Sequence, residues 1–241
     1  MTKQTNPGRG LRGNKLKEYL KTIQLTDIQR DVLIGTLLGD ASFSLENRKP
    51  KYSVKFEQGQ SDPKYGKNHA DYINHLFEIF KPLVGTWPVE RLVNKKNAEL
   101  GTEKPRYSLW FRTYQHNSLI FYYNLFYKQE FDPKNSNIVI SKVKIVPKNI
   151  GKFLTPRAIA YWFMDDGSYE DQTNRTYLFN TQGFTKQESQ MLCDILLEKY
   201  GIEANTNYDG KSKRIRVKTA SAPILRDLIK DYVIPAFYYK L

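Results

Sequence analysis

The segment LTPRAIAYWFMDDGS, residues 154–168, decides the fold, because it reads as one complete apolar helix with both ends marked. Thr155 is a good N-cap, Pro156 suits the first helical position, and Gly167 suits the stop. The helix nonetheless finishes on Asp165 and Asp166. A carboxylate there meets the partial negative charge of the last carbonyls, which disfavours it by up to about 1 kcal/mol, so something must compensate it. A fainter copy, GTLLGDASF at residues 35–43, ends a second helix in the same way on Asp40, after Thr26 as N-cap and Ile28, Val32, Leu33 and Leu37 at helical spacing. The copies stand about half a chain length apart. That spacing reads as an internal duplication.

Each copy is followed by strand-like material ending in a polar residue, KYSVKFEQ (51–58) and TYLFNTQ (176–182), and then by an amphipathic helix. The first of these helices covers 68–82; the second opens with Thr185-x-x-Glu188, a capping box. VERLVNKK (89–96) and RYSLWFRT (106–113) supply further strands in the first half, and EANTNYD (203–209) and RIRVKT (214–219) in the second, with closing helices over 115–127 and 221–231. Each half therefore reads helix, two strands, helix, two strands, helix. The expected divisions are a basic N-terminal arm (1–25), a first half (26–128), a Lys-rich connector with Pro133 and Pro147 (129–152), and a second half (153–241). The arm, in which Lys3, Arg9, Arg12, Lys15, Lys17 and Lys21 face only Glu18, is expected to be flexible and to turn helical near residue 15. Its Gly8-x-Gly10-x-x-Gly13 matches a dinucleotide fingerprint in form only, because no strand precedes it.

The 241 residues carry 38 Lys and Arg against 25 Asp and Glu, a formal net charge of +13. Such a balance attracts polyanions, nucleic acid first. An apolar content of 40% excludes a wholly disordered chain. Nothing approaches the roughly 18 apolar residues of a membrane span, so a soluble, intracellular protein is expected. Cys193, the only cysteine, falls on the apolar side of a helix and reads as a structural thiol. With His69, His75 and His116 scattered, a zinc site built on several cysteines is excluded. The sequon Asn174-Arg175-Thr176 reads as incidental.

Alternation shows what the strands present. Arg214, Arg216 and Lys218 share one face of their strand while Ile215 and Val217 share the other. Likewise Tyr52, Val54 and Phe56 point inward with Lys51, Ser53 and Lys55 outward, and Arg106 and Arg112 stand opposite Leu109 and Phe111. Several basic faces at matching places indicate a sheet surface laid on a duplex, since a β-ribbon fits the DNA major groove. Two equivalent acids flanked by such strands suit divalent cations. Oxygen ligands with several waters fit Mg²⁺, which also binds phosphate oxygens, and such ions assist phosphodiester cleavage.

The paired motifs LIGTLLGDA (33–41) and IAYWFMDDG (159–167) resemble the two copies of the LAGLIDADG motif in single-chain homing endonucleases. The context LTPRAIAYWFMDDGS with LFNTQGFT, and the ending YVIPAFYYKL, look like the I-SceI-like branch, and the resemblance runs from about residue 26 to the C-terminus. It implies a mixed α/β (α+β) fold of two pseudo-symmetric αββαββα halves, whose antiparallel sheets form a DNA-binding saddle with the motif helices at the interface. It also implies that the eighth motif residue of each copy, Asp40 and Asp166, binds the metal. Asp165 occupies the seventh position, usually small. Ala41 stands where glycine is usual, and Tyr161 holds the third place that Gly35 holds in the first copy, so asymmetric helix packing is expected. Family members place a polar residue at the end of the second strand of each half and a lysine near the active site. The matching positions are Gln58, beside Glu57, and Gln182, with Lys144 and Lys240. The implied activity is a site-specific, intron-encoded DNA endonuclease making double-strand breaks with Mg²⁺, or Mn²⁺ in its place, as a monomer acting on a long asymmetric duplex site. An organelle is the implied compartment. Two other classes stay open: an RNA-binding intron-splicing maturase on the same fold, and a non-catalytic sequence-specific DNA-binding protein.

Overall fold

The computed structural model describes residues 6–59, 69–170, 175–208 and 213–241. Lys3, Asn68, Asn174 and Asp209 of the sequence reading lie outside them. The chain divides into two compact units, Met1–Gln29 with Asp40–Tyr123, and Arg30–Gly39 with Asn124–Leu241.

Unit 1 holds α1 (Gly13–Thr22), the first turn of α2 (Asp27–Leu38), β1 (Ser42–Glu46), β2 (Lys49–Gly59), α3 (Ala70–Phe80), β3 (Val89–Leu92), a short α4 (Lys95–Glu99), β4 (Tyr107–Arg112) and the start of α5 (Ser118–Phe126). Its strands form an antiparallel sheet in the order β1-β2-β4-β3. Alternation places Val54, Phe56 and Phe111 on the inner face, where Phe56 stacks on Phe80 of α3 and on Phe111, each at 4.9 Å between ring centres. Asn47 and Arg48 both take positive φ between β1 and β2, as a two-residue hairpin loop requires. Thr26 and Gln29 cap α2 reciprocally: the Gln29 amide donates to Thr26 Oγ1 and the Thr26 amide to Gln29 Oε1.

Unit 2 holds the rest of α2, the end of α5, β5 (Tyr127–Asp132), β6 (Asn135–Lys144), α6 (Pro156–Asp166), β7 (Gly167–Glu170), β8 (Thr176–Asn180), α7 (Lys186–Tyr200), β9 (Ala204–Tyr208), β10 (Lys213–Val217) and α8 (Ala222–Ile229). A second antiparallel sheet runs β7-β8-β10-β9. Its inner face packs on α6 through Trp162 and Phe179, whose rings lie 4.2 Å apart. The caps read from sequence are present: Thr155 Oγ1 accepts from the Ala158 amide at 3.1 Å, and Thr185 with Glu188 forms the full capping box. Both units therefore belong to the mixed α/β class with antiparallel sheets.

α2 and α6 meet in unit 2 with their backbones close. A Cβ on Gly35 would fall 2.2 Å from the Ala158 carbonyl oxygen and 2.8 Å from Tyr161 Cβ, so this one glycine makes room for the bulky Tyr161 in the other copy. The packing is asymmetric for that reason. Near the other end of the pair, Arg157 Nη1 lies 3.1 Å from Asp31 Oδ2.

Several expectations are corrected. Residues 129–152 are not a plain connector, for most of the antiparallel β5–β6 ribbon lies there. The described part of the arm is docked rather than flexible, as its hydrogen bonds show below. VERLVNKK is a strand only through Leu92, after which the chain turns into α4. Ser53, read as outward, is buried. Gly167 stops α6 as expected, and does so in an extended conformation (φ −82°, ψ 151°); glycine is needed there because a Cβ would fall 2.1 Å from Phe163 Cδ2.

Candidate active site and nucleic-acid face

The question of what compensates the helix-end acids has a partial answer in two lysines of unit 2. Lys144, the last residue of β6, donates from Nζ to the Gly39 carbonyl at 2.6 Å. Lys240, in the 3-10 turn Pro235–Lys240, donates to the Met164 carbonyl at 2.6 Å. Gly39 immediately precedes Asp40, and Met164 stands two residues before Asp166. Each motif helix thus has an ammonium group on its terminal carbonyls, the favourable sign for a helix C-terminus. Losing one such charge-assisted bond by Lys144→Met is expected to lower stability by about 1–2 kcal/mol. Chemical denaturation at neutral pH reads that change directly.

Beyond the lysines, the two helix ends are built differently. In unit 1, Gln58 Nε2 donates to Asp40 Oδ2 at 2.5 Å, and Asp40 is exposed. In unit 2, Asn180 joins Lys240 at the end of α6, its Nδ2 donating to the main-chain carbonyl of Asp166 at 3.0 Å. Gln182 lies past the end of β8 and turns to Asn180 Oδ1 at 3.4 Å, so Gln58 and Gln182 are not placed alike. The reason is strand length: β2 continues through Gly59, while β8 stops at Asn180. Asn180 escaped the sequence reading, although it is the polar end of TYLFN and the one residue of that strand that is not buried. Asp165 packs against Gly39, where an added Cβ would lie 2.4 Å from Asp165 Oδ2, so the small seventh residue of the first motif copy, just past α2, accommodates the acid in α6.

The sheet faces are basic but not purely so. Lys51 pairs with Glu46 at 3.0 Å. Glu57 sits among Lys55, Arg91 Nη2 at 2.8 Å and Ser108 Oγ at 2.6 Å. Burial alone would raise the Glu57 carboxyl, but hydrogen bonds from Lys55 and Ser108 and the charges of Lys55 and Arg91 outweigh it and hold the group below the ordinary value. In unit 2, Arg216 pairs with Glu170 at 2.9 Å and Lys218 with Glu203 at 2.5 Å. Arg106 lies outside β4 and pairs with Glu103 at 3.2 Å. The sequence reading noted Glu57 only as the neighbour of Gln58, yet Glu57 shares the parity of Lys51 and Lys55 and so belongs to the basic face. Partly exposed pairs of this kind contribute about 0–1 kcal/mol, so a phosphate can replace the acid at little cost.

Two arginines differ from the rest: the Nε atoms of Arg112 and Arg214 are buried and make no hydrogen bond. Arg112 stands directly across from Lys55 on the neighbouring strand, a like-charge pairing that an anion would relieve. Arg214 stands between Asn180 and Asn207, and Arg216 is opposite Asn205. Asn205 and Asn207 are exposed on that same face and went unremarked in the sequence, where ANTNY shows them by period. Amide and guanidinium groups on a ribbon match the donor and acceptor edges of base pairs. Cys193 is buried, its thiol pushed up to about 12 by burial first and by Asp194 second, and has no part in the site.

A duplicated pair of α/β halves, each with a basic antiparallel sheet and an aspartate at a helix end, is the build of a protein acting on nucleic acid. Residues 30–225 match the model of the LAGLIDADG DNA endonuclease family, and the chain belongs to that family. A probable intron-encoded endonuclease of Wickerhamomyces canadensis is 28% identical over 240 residues, covering 97% of this chain and 93% of its own. The cytochrome b mRNA maturase bI2 of Saccharomyces cerevisiae is 26% identical over 214 residues, with 87% of this chain and 46% of that protein covered. Among solved structures, the homing endonuclease I-WcaI bound to its DNA recognition sequence superposes with a TM-score of 0.75 at 26% identity, covering 98% of this chain and 95% of that one.

Proposed function

We propose that this chain is an intron-encoded homing endonuclease that makes double-strand breaks at a long asymmetric site in duplex DNA, with Asp40 and Asp166 each a ligand of divalent cation, Mg²⁺ or Mn²⁺. The observation that carries this is the repeated helix end: an aspartate in each motif copy, with a lysine on the carbonyls beside it. The donor set fits a hard cation. Among the described residues no three His, Cys, Asp or Glu side chains gather into a cage, as suits an ion that keeps several waters and takes one or two carboxylates together with substrate phosphate. When bound, such an ion supplies positive charge to the phosphodiester oxygens as the bond breaks. Gln58 fixes the Asp40 carboxylate through Oδ2. Lys144 and Lys240 hold ammonium groups at the helix ends, where they can offset charge developing on phosphate. Residues 26–128 and 153–241 are the two halves in this reading, and the sheet residues Lys51, Lys55, Arg112, Arg214, Arg216 and Lys218 contact the duplex.

Selecting cleaved members from a randomised duplex library, with Mg²⁺ and with chelator, tests the proposal. Cleavage of one extended sequence in Mg²⁺ alone supports it, and binding without cleavage in any divalent ion rejects it. Binding is expected to fall with salt at a log–log slope of about −0.9 per neutralised phosphate. Filter binding between about 50 and 200 mM salt reads the slope, and a flat response contradicts a basic face. Similarity to the yeast maturase favours a second reading, intron RNA as an additional partner, to be tested by adding the RNA as competitor. A monomer is expected because both acids lie in one chain; sedimentation checks it.

A further inference from the structure

The helix α1 lies outside residues 30–225 that match the family, yet it is docked on unit 1 by a set of directional contacts. Asn6 Nδ2 donates to the Val84 carbonyl at 2.6 Å, Tyr114 OH to the Gly8 carbonyl at 2.8 Å, and Tyr19 OH to the Pro82 carbonyl at 2.9 Å. At the other end of the helix, His116 Nε2 lies 2.9 Å from the Leu20 carbonyl oxygen. Gly8 fits this docking closely, since a Cβ would meet Tyr19, the Pro82 carbonyl and Tyr114 at 3.1 to 3.3 Å and its neighbours would have to yield by a few tenths of an ångström. The glycine pattern of the arm is thus partly a packing feature.

What the docked helix presents is charge. No residue of α1 is fully buried; Leu16, Tyr19 and Leu20 are half-buried against the protein, while Lys15, Lys17 and Lys21 are exposed, as are Arg9 and Arg12 before them. Glu18, the only acid of the helix, pairs with Lys21 at 2.7 Å with both side chains about seven-tenths exposed, a bond of little strength. A helix with so little apolar burial gains little stability from packing, so its position serves its surface. Lys17 and Lys21, one turn apart, line an open cleft of about 520 Å³ with Gln115, His116 and Asn117. The His116 amide donates to the Tyr52 carbonyl at 3.0 Å. The chain after β4 therefore continues its pairing with β2 as far as Tyr52, which brings the 115–117 loop to the residue next to Lys51.

We propose that α1 and the 115–117 loop form a second contact with the phosphate backbone of duplex DNA, on the flank beyond the sheet, adding affinity without base selectivity. The chemistry is that of phosphate positioning: two ammonium groups and two amides at a strand end, with no carboxylate in the cleft lining. This contact rests on the endonuclease reading. Its test is the full chain with Lys17→Gln and Lys21→Gln together, on two duplexes of the selected target, one trimmed to the recognition segment and one extended by about one helical turn on each side. On the extended duplex the salt slope is expected to fall by about 1.8, two phosphates' worth, and binding to weaken roughly tenfold or more near 0.15 M salt. Base preference, melting temperature and turnover of bound complex stay as in the parent, and on the trimmed duplex the two proteins bind alike. Equal weakening on both duplexes overturns the proposal, as does an equal fall in slope for the charge-matched control Lys152→Gln with Lys186→Gln, which would reduce the effect to net charge. A changed base preference places α1 over the recognition segment and also overturns it, and so does a loss confined to structured RNA. A parent that binds no duplex at all defeats the endonuclease reading itself; a parent that cleaves while the variant matches it defeats only the flank contact.

Discussion

Asp40→Asn and Asp166→Asn are each expected to lose double-strand cleavage in Mg²⁺ by at least about a hundredfold, the scale of removing one charge-stabilising group from an active site, while DNA affinity in chelator stays at the parent level. The substitution keeps side-chain shape and removes the charge. At Asp40, the asparagine carbonyl oxygen can still accept from Gln58 Nε2, so the local hydrogen bond survives. At both positions a neutral group relieves the unfavourable interaction with the helix end, so stability in chelator should be unchanged or higher by up to about 1 kcal/mol. Cleavage assays, gel-shift titrations and thermal melts on the same preparations separate the possibilities. Full cleavage by either variant removes that aspartate from the chemistry, whereas loss of folding returns the explanation to helix packing.

The second large effect is on stability. Gly35→Ala places a methyl 2.2 Å from the Ala158 carbonyl oxygen and 3.0 Å from the Trp162 backbone nitrogen, and neither is a flexible side-chain end that can step aside. α2 and α6 must separate by more than the core tolerates, because Leu33, Ile34, Leu37, Ile159, Trp162 and Phe163 are all buried around them. We expect a loss at the upper end of over-packing costs, about 3 kcal/mol, seen as a fall in melting temperature of about 6–12 °C for a chain of this size. Gly183→Ala is the control. A Cβ at Gly183 meets nothing within 4 Å, so its change should stay within about 0.5 kcal/mol. A Gly35→Ala protein as stable as the control would show that the helix pair has slack that its geometry denies.

Much of this was legible in the amino-acid order alone. The two motif helices, the Thr155 cap, the Thr185–Glu188 capping box, the strand alternation and the αββαββα reading of each half are local patterns, carried by neighbours three or four residues apart in helices and two apart in strands. Such signals need no knowledge of distant residues. Local reading did not carry what depends on crowding or on strand length: Gly167 stops its helix as expected but is required there by the Phe163 ring, and Gln182 falls beyond a strand that ends at Asn180. Only the tertiary structure decided that Lys144 sits on the carbonyl of Gly39, 105 residues away, and Lys240 on that of Met164, 76 residues away. It alone decided that Glu57 is held among Lys55, Arg91 and Ser108, and that the basic arm is fastened to Val84, Pro82 and Tyr114. The physical reason is the same in each case. A hydrogen bond or an ion pair acts across a few ångströms of space, and which residues come within that distance is set by how the elements pack, a property that the spacing of residues along the chain does not carry.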